Sequence, residues 1–263
     1  MTFRQWVKYG LFGKCPGFRG KFRYCGTRVY FPPGSIVFRM ACADGLYESD
    51  NQRLLGSLVR PGSCLFDVGA NIGLMAIPVL RWVEDSRVVS FEPSPTVLPC
   101  LRRTVAGSGF GGRWALVEKA VGARVGSVGF ALSTGAESAF EGIRPTGRAK
   151  TVGQAEVPLT TLDAEWERLG RPEVSAIKID IEGADIDAIR GATGLIVAQH
   201  PAILVEWYAP NLAAFGIEPG ALFDIAGDLD YRLYAMPHLV RIETAGELRL
   251  HMVHTDTFLL HGP

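Results

Sequence analysis

Cys64-Leu65-Phe66-Asp67-Val68-Gly69-Ala70-Asn71-Ile72-Gly73 is the stretch on which the fold turns. It reads as a buried strand that ends in an acid and breaks into a glycine turn, which opens a helix running to Trp82 despite Pro78. The same unit recurs outward from it. Residues 87–91 form a second strand with a helix over 95–106, and residues 114–121 form a third strand. Residues 175–179 make a fourth strand with a helical stretch over 184–197, and residues 202–207 make a fifth. Strands that alternate with helices imply a parallel sheet covered on both faces by right-handed crossovers, so the fold class is α/β and doubly wound.

The flanks read differently. Residues 1–46 are aromatic and basic in patches broken by Gly and Pro, and form an N-terminal extension with short strands over 28–31 and 36–38. Leu54, Leu55, Leu58 and Val59 recur at helical spacing, so residues 47–59 predict a short amphipathic helix stopped near Pro61-Gly62. Residues 122–158 are an insertion too long for a structureless loop, which predicts a β-hairpin or a lid. Residues 231–234 and 253–260 supply two more strands, the last antiparallel.

Composition narrows the function. With 27 Lys+Arg against 27 Asp+Glu the formal net charge is zero, so no overall field draws the chain to nucleic acid or anionic lipid. A hydrophobic content of 48% is ample for a sizeable core. The longest apolar runs, 74–80 and 195–198, fall far below the roughly 20 residues of a membrane span. Residues 1–11 lack the apolar core of a signal peptide, and the expected location is the cytoplasm. Cys15, Cys25, Cys42, Cys64 and Cys100 are odd in number and without CxxC spacing, which predicts reduced thiols.

The glycine turn brings backbone N–H groups of a helix start within reach of a ligand. Glu92, in Phe91-Glu92-Pro93, follows the next strand 19 residues beyond Gly73, close to the spacing at which a carboxylate holds ribose hydroxyls. Together they predict a nucleotide-type pocket. Asn71 stands where a dinucleotide site has its second glycine, and Asp67 would repel a pyrophosphate but favour an amine or sulfonium. These charges select S-adenosylmethionine over NAD. In Ile177-Lys178-Ile179-Asp180-Ile181-Glu182-Gly183-Ala184-Asp185 another strand ends in carboxylates, and Asp180 and Glu182 either enter the same crevice or cap the following helix.

In these residues the chain resembles the FkbM-type family of class I S-adenosylmethionine-dependent methyltransferases. The resemblance rests on the turn of residues 67–73, on Phe91-Glu92-Pro93, on Thr161-Leu162-Asp163 with the run 177–185, on Ile189-Arg190-Gly191-Ala192 and on Leu204-Val205-Glu206, and it covers residues 47–207. It implies a Rossmann-like, mostly parallel seven-stranded sheet, with a methyltransferase domain over 47–263. It also implies that Asp67 lies near the methionine amino end, that Gly69, Ala70, Asn71 and Gly73 lie against the cofactor, and that Glu92 holds the ribose. The Lys119-Ala120 turn would be near adenine, and Glu48, in Tyr47-Glu48, would be a further cofactor residue. Members of the family methylate hydroxyls of sugars, glycolipids or polyketide-type products.

Transfer to an alcohol is helped by a base, for which Asp180, Glu182 and Glu206 are the candidates, with His238 as the candidate histidine. His251 and His254 sit three apart where the strand over 253–260 begins, and residues three apart on a strand face opposite ways, so no metal site is expected. Arg144, Arg148 and Lys150 either bind an anionic acceptor or solvate the lid. Phe3, Trp6, Val7, Leu11 and Phe12 pack on the protein's own core, a partner subunit or a membrane surface, with packing on protein the default and a homo-oligomer left open. The expected activity is a metal-independent O-methyltransferase for a small molecule or glycan. The alternatives are an N-methyltransferase of a small amine and a non-catalytic S-adenosylmethionine-binding regulatory subunit.

Overall fold

Strand β1 (Lys21–Tyr24) and strand β2 (Thr27–Tyr30) open the computed structural model, which describes residues 20–262. Phe3, Trp6, Val7, Leu11, Phe12 and Cys15, with the signal-peptide reading of residues 1–11, lie outside the described residues. Helix α1 (Ile36–Asp44) and helix α2 (Ser49–Leu58) lead into β3 (Cys64–Val68), α3 (Ala76–Trp82), β4 (Arg87–Phe91), α4 (Leu98–Ala106) and β5 (Trp114–Val117). The insertion follows as β6 (Ala120–Val121), β7 (Gly126–Leu132) and β8 (Gly153–Thr160). The chain then returns through α5 (Leu162–Arg168), β9 (Val174–Ile179), α6 (Asp185–Arg190), α7 (Thr193–Gln199) and β10 (Ala202–Glu206). Helices α8 (Ala209–Phe215) and α9 (Ala221–Asp228), strands β11 (Arg232–Ala235) and β12 (Val240–Ile242), helix α10 (Ala245–His251) and strand β13 (Thr257–His261) complete it.

The main sheet has the order β12-β11-β13-β10-β9-β3-β4-β5. From β3 the chain winds outward to β4 and β5, then returns to β9 and β10 on the other side, so the order reverses between β3 and β9. Neighbouring strands from β5 to β10 are parallel, and β13 runs antiparallel between β10 and β11. The α/β, doubly wound reading holds, with one correction: the sheet has eight strands, because the three-residue β12 adds an antiparallel edge to β11.

Period-two alternation assigns each strand's side chains to two cores. Phe66, Val68, Val89, Phe91, Ile177, Ile179, Ile203 and Val205 meet the helices on the α5 to α10 side. Leu65, Val88, Ala176 and Leu204 meet α1 to α4 and the β1–β2 hairpin. The described part of the N-terminal extension belongs to this second core, where the Phe31 and Phe38 rings stack at 3.8 Å.

Local departures from the sequence reading have local causes. Residues 36–38 are helical, because the Ser35 hydroxyl accepts from the Phe38 N–H at 3.3 Å and buries Val37, Phe38 and Ala41 on one face. The third strand ends at Val117: Lys119 turns away to Glu165 at 2.8 Å, and β6 pairs with β8 in a separate three-stranded sheet. The helical stretch over 184–197 divides in two, since the Asp163 carboxylate accepts from Gly194 and Leu195 N–H at 2.9 and 2.8 Å and caps a new helix. His251 ends α10 and His254 lies in the turn after it, so neither belongs to a strand. Within the insertion β7 and β8 form the expected hairpin, and their long connection, 133–152, reaches back over the strand ends.

Candidate active site

Two glycines shape the turn after β3. A Cβ on Gly69 (φ +80°) would stand 1.9 Å from the Asp180 carbonyl oxygen, and one on Gly73 (φ +87°) would stand 2.7 Å from the Trp114 ring. Only Gly fits these left-handed, crowded positions, which let the ends of β3 and β9 meet. The Gly69 and Ala70 N–H groups both donate to the Phe91 carbonyl at 3.0 Å, tying the turn to β4.

A cavity of about 380 Å³ lies across the C-terminal ends of β5, β4, β3, β9 and β10. Its floor includes Gly69, Ala70, Asn71, Glu92, Ala120 and Asp180, with Glu48, Glu182 and Glu206 at one side. Connection 133–152 roofs it with Phe140, Glu141, Ile143 and Arg148, and α1 contributes Val37 and Met40. The volume falls in the range of about 300–1,000 Å³ usual for small-molecule sites, and the position is the crevice beside the switch point. Two expected cofactor residues are elsewhere. Asp67 is fully buried and does not line the cavity, because alternation along β3 points it into the α1 to α4 face beside Ser90 and Lys178. Gly73 lies beneath Trp114 and does not line the cavity.

Glu92 is 5% exposed. Its two oxygens accept from the Asn71 and Ser94 N–H groups, each at 2.8 Å, and burial pushes the carboxyl up to about 7. A carboxylate with both oxygens pinned by main chain still has lone pairs to offer a ligand hydroxyl. Asp67 accepts weakly from the Ser90 hydroxyl at 3.4 Å, and burial raises it to about 6 while Lys178 pulls it back. Lys178 is itself buried, and its ammonium donates to the Gly69 carbonyl and pairs with Asp180, each at 3.1 Å.

The far side of the cavity concentrates charge. Carboxylate oxygens of Asp180, Glu182 and Glu206 lie within 4.8 Å of one another. The cation facing two of them is Arg148: its Nη1 donates to Glu182 at 2.9 and 3.1 Å and to Glu206 at 3.5 Å, and its guanidinium lies over the rings of Phe140 and Tyr208. Burial, then repulsion from Asp180, raises Glu182 to about 8, and the same two causes hold Glu206 well above the ordinary carboxylate range. Asp185 organises the turn instead of entering the cavity, accepting from Ile181 and Gly183 N–H at 3.2 and 3.1 Å. Asp180 therefore lines the site and does not cap α6.

A second cavity, about 340 Å³, opens beside β13 and shares Glu48, Lys178, Asp180, Glu206 and Asp256, with Met40 and Met75, with the first. His238 is an exposed loop residue that lines neither cavity. Arg144 stacks on Phe215, and Lys150 is exposed. The four cysteines among the described residues are free thiols. The sequence reading missed Lys178 and the part played by Arg148. A lysine between two isoleucines in a buried strand is a usable signal, since a buried ammonium requires an acid; Arg148 carries no such local mark.

The family profile described as the methyltransferase FkbM domain matches residues 67–233. Among solved structures the chain is similar to the methyltransferase FkbM from Methylobacillus flagellatus KT, at 16% identity and a TM-score of 0.48 over 86% of this chain and 52% of that one. It is also similar to an O-methyltransferase from Bacillus cereus solved in complex with SAH, at 11% identity and TM-score 0.47 over 85% of this chain and 87% of that one. A third is a TehB-like SAM-dependent methyltransferase from Corynebacterium glutamicum, at 11% identity and TM-score 0.43 over 85% and 91%. The chain spans about half the length of the first of these. No curated protein matches it. Among the described residues no helix is long and apolar enough to cross a membrane.

Proposed function

The chain belongs to the FkbM methyltransferase family, and from that premise we propose that it is an S-adenosylmethionine-dependent O-methyltransferase acting on a hydroxyl of a small molecule or glycan. One observation carries the choice of cofactor. Three cations, Lys119, Arg148 and Lys178, line the first cavity, and each is paired with a carboxylate: Glu165 at 2.8 Å, Glu182 at 2.9 Å and Asp180 at 3.1 Å. None is left for a phosphate, whereas Glu48, Glu92, Asp180 and Glu206 are acids that a cationic ligand would draw into their ionised form. The donor set thus fits a phosphate-free, positively charged adenosine derivative.

When bound, S-adenosylmethionine supplies a methyl carbon on a sulfonium, which leaves by in-line displacement with the C–S electron pair staying on sulfur. Glu92, after β4, would hold the ribose hydroxyls, and Ala120, after β5, would lie against the adenine, which would leave Asp180 and Glu48, where the two cavities join, for the charged end. Of the three candidate bases Asp180 is the freest. Glu182 has both oxygens on Arg148, Glu206 is held by Asn211 at 2.9 Å and by Arg148, and the ion-pair partner of Asp180 is Lys178. Asp180 accepts the hydroxyl proton as the new C–O bond forms, and Lys178 fixes its orientation.

Calorimetric titration tests the cofactor: S-adenosylmethionine and S-adenosylhomocysteine bind with dissociation constants in the micromolar range, and NAD gives no heat. Tighter binding of NAD would overturn the assignment. Asp180→Asn lowers turnover by about 10²- to 10⁴-fold, the usual worth of a positioned base, while cofactor affinity stays within a few fold. Full activity in that variant would take Asp180 out of the mechanism. Product mass and fragmentation place the methyl on oxygen or nitrogen, and absence of turnover with every acceptor class would favour the regulatory-subunit alternative.

A further inference from the structure

We propose that the second cavity is the acceptor site and that it selects an alcohol whose body carries a protonated amine. The inference rests on reading the first cavity as the methyl-donor site. The second cavity, about 340 Å³, is large enough for a small molecule and joins the first along a wall that includes Glu48, Lys178, Asp180, Glu206 and Asp256, so an occupant has one end at the candidate base. Its charge is lopsided. With Asp50, which lines the second cavity alone, these make five acids against the one ammonium of Lys178, which is already spent on Asp180 and the Gly69 carbonyl.

The partners of the other four leave the balance negative. Glu48 accepts from the Asn51 amide, and Asp256 accepts from the Thr257 hydroxyl; both donors are neutral. Glu206 shares Arg148 with Glu182 at a distance of 3.5 Å, and Asp50 has only an exposed contact with Arg53 at 3.7 Å. A phosphorylated or carboxylated acceptor entering here would meet repulsion from every side but one. An ammonium would meet attraction, and the carboxylates around it would keep it protonated. A protonated amine has no lone pair to attack a methyl group, so the hydroxyl at Asp180 remains the nucleophile. Met236, with Met40 and Met75 from the wall shared with the first cavity, supplies an adaptable apolar surface for the carbon skeleton between the two groups.

Three probes of one skeleton separate the charge contribution from the rest: 6-amino-1-hexanol, 1,6-hexanediol and 6-hydroxyhexanoate. They are titrated into the full chain saturated with S-adenosylhomocysteine, with binding read by ligand-observed NMR. The amino alcohol binds about tenfold tighter than the diol, and the hydroxy acid binds weakest. The advantage of the amino alcohol shrinks to within about threefold in Asp50→Lys and in Asp256→Asn. Asp50 is an exposed side chain, so its variant keeps the fold and the wild-type affinity for S-adenosylhomocysteine. Equal binding of amine and acid, an advantage untouched by both substitutions, or no probe binding at all would overturn the inference while leaving the cofactor reading intact. Failure of S-adenosylhomocysteine itself to bind would bring down the function on which the inference rests.

Discussion

Lys178 sits on the fifth of six residues of β9, in a strand buried from end to end. Its register partner on β3 is Asp67, and burial alone would lower its pKa, but Asp180, Asp67 and Glu48 more than reverse this and raise it. One ammonium thus compensates three carboxylates, two of them, Asp180 and Glu48, lining the cavities. Lys178→Met removes that compensation and costs about 3 to 5 kcal/mol of stability near pH 7.5, the usual penalty for stranding a buried charge. At pH 5.5, below the value of about 6 for Asp67, protonation relieves part of the repulsion, and the loss should be roughly halved. Urea unfolding at the two pH values measures this, and equal losses would show that Lys178 acts by packing. The acids of this motif are legible from sequence because they end an apolar run; their dependence on the lysine is not, because it needs the register of β3 against β9.

The connection between β7 and β8 is fastened at its middle and toward its C-terminal end. Glu141 accepts from the Ser94 and Thr96 hydroxyls at 2.5 and 3.0 Å and from the Ser133 N–H at 2.9 Å, which ties the roof to the loop that carries Glu92. Arg148 ties the C-terminal end to Glu182 and Glu206. A ligand beneath this roof leaves by breaking one fastening. Arg148→Met keeps the bulk between Phe140 and Tyr208 but removes the cation that ties the roof to Glu182 and Glu206. It should speed release of S-adenosylhomocysteine by about tenfold, equivalent to about 1.4 kcal/mol, with unfolding temperature little changed. A chase experiment with labelled ligand reads the rate, and an unaltered rate would mean that the roof does not gate exit. At this scale the sequence was informative where a pattern is local. Asp67-Val68-Gly69 announces a strand and its turn, and residues 122–158 announce an insertion by length alone. Arg148 reaching 34 residues ahead to Glu182, β12 joining the sheet edge with three residues, and Ser35 turning an Ile-Val pair into a helix start all depend on tertiary partners that no window of sequence contains.

Across the whole molecule, six acids that ring or underlie the cavities have raised folded-state pKa values through burial: Asp67 to about 6, Glu92 and Asp185 to about 7, Glu182 to about 8, and Glu48 and Glu206 higher than usual in direction. An acid whose folded pKa lies above its unfolded value near 4 binds its proton more tightly in the native state. Stability therefore falls as pH rises through the interval between the two values, here from about 4 to about 8, and the penalty is complete above it. Unliganded protein should lose roughly 2 to 4 kcal/mol of stability between pH 5.5 and pH 8, a fall of about 5 to 15 °C in unfolding temperature. A ligand with a fixed positive charge offsets this repulsion, and its advantage grows as the acids ionise. S-adenosylmethionine should thus raise the unfolding temperature more than neutral-sulfur S-adenosylhomocysteine does, by a margin that widens from pH 6 to pH 8. Scanning calorimetry with each ligand at matched saturation measures the margin. A margin that is constant or narrows with pH would mean that the carboxylates at the strand ends do not face the sulfonium, and the orientation of the donor in the first cavity would have to be reversed.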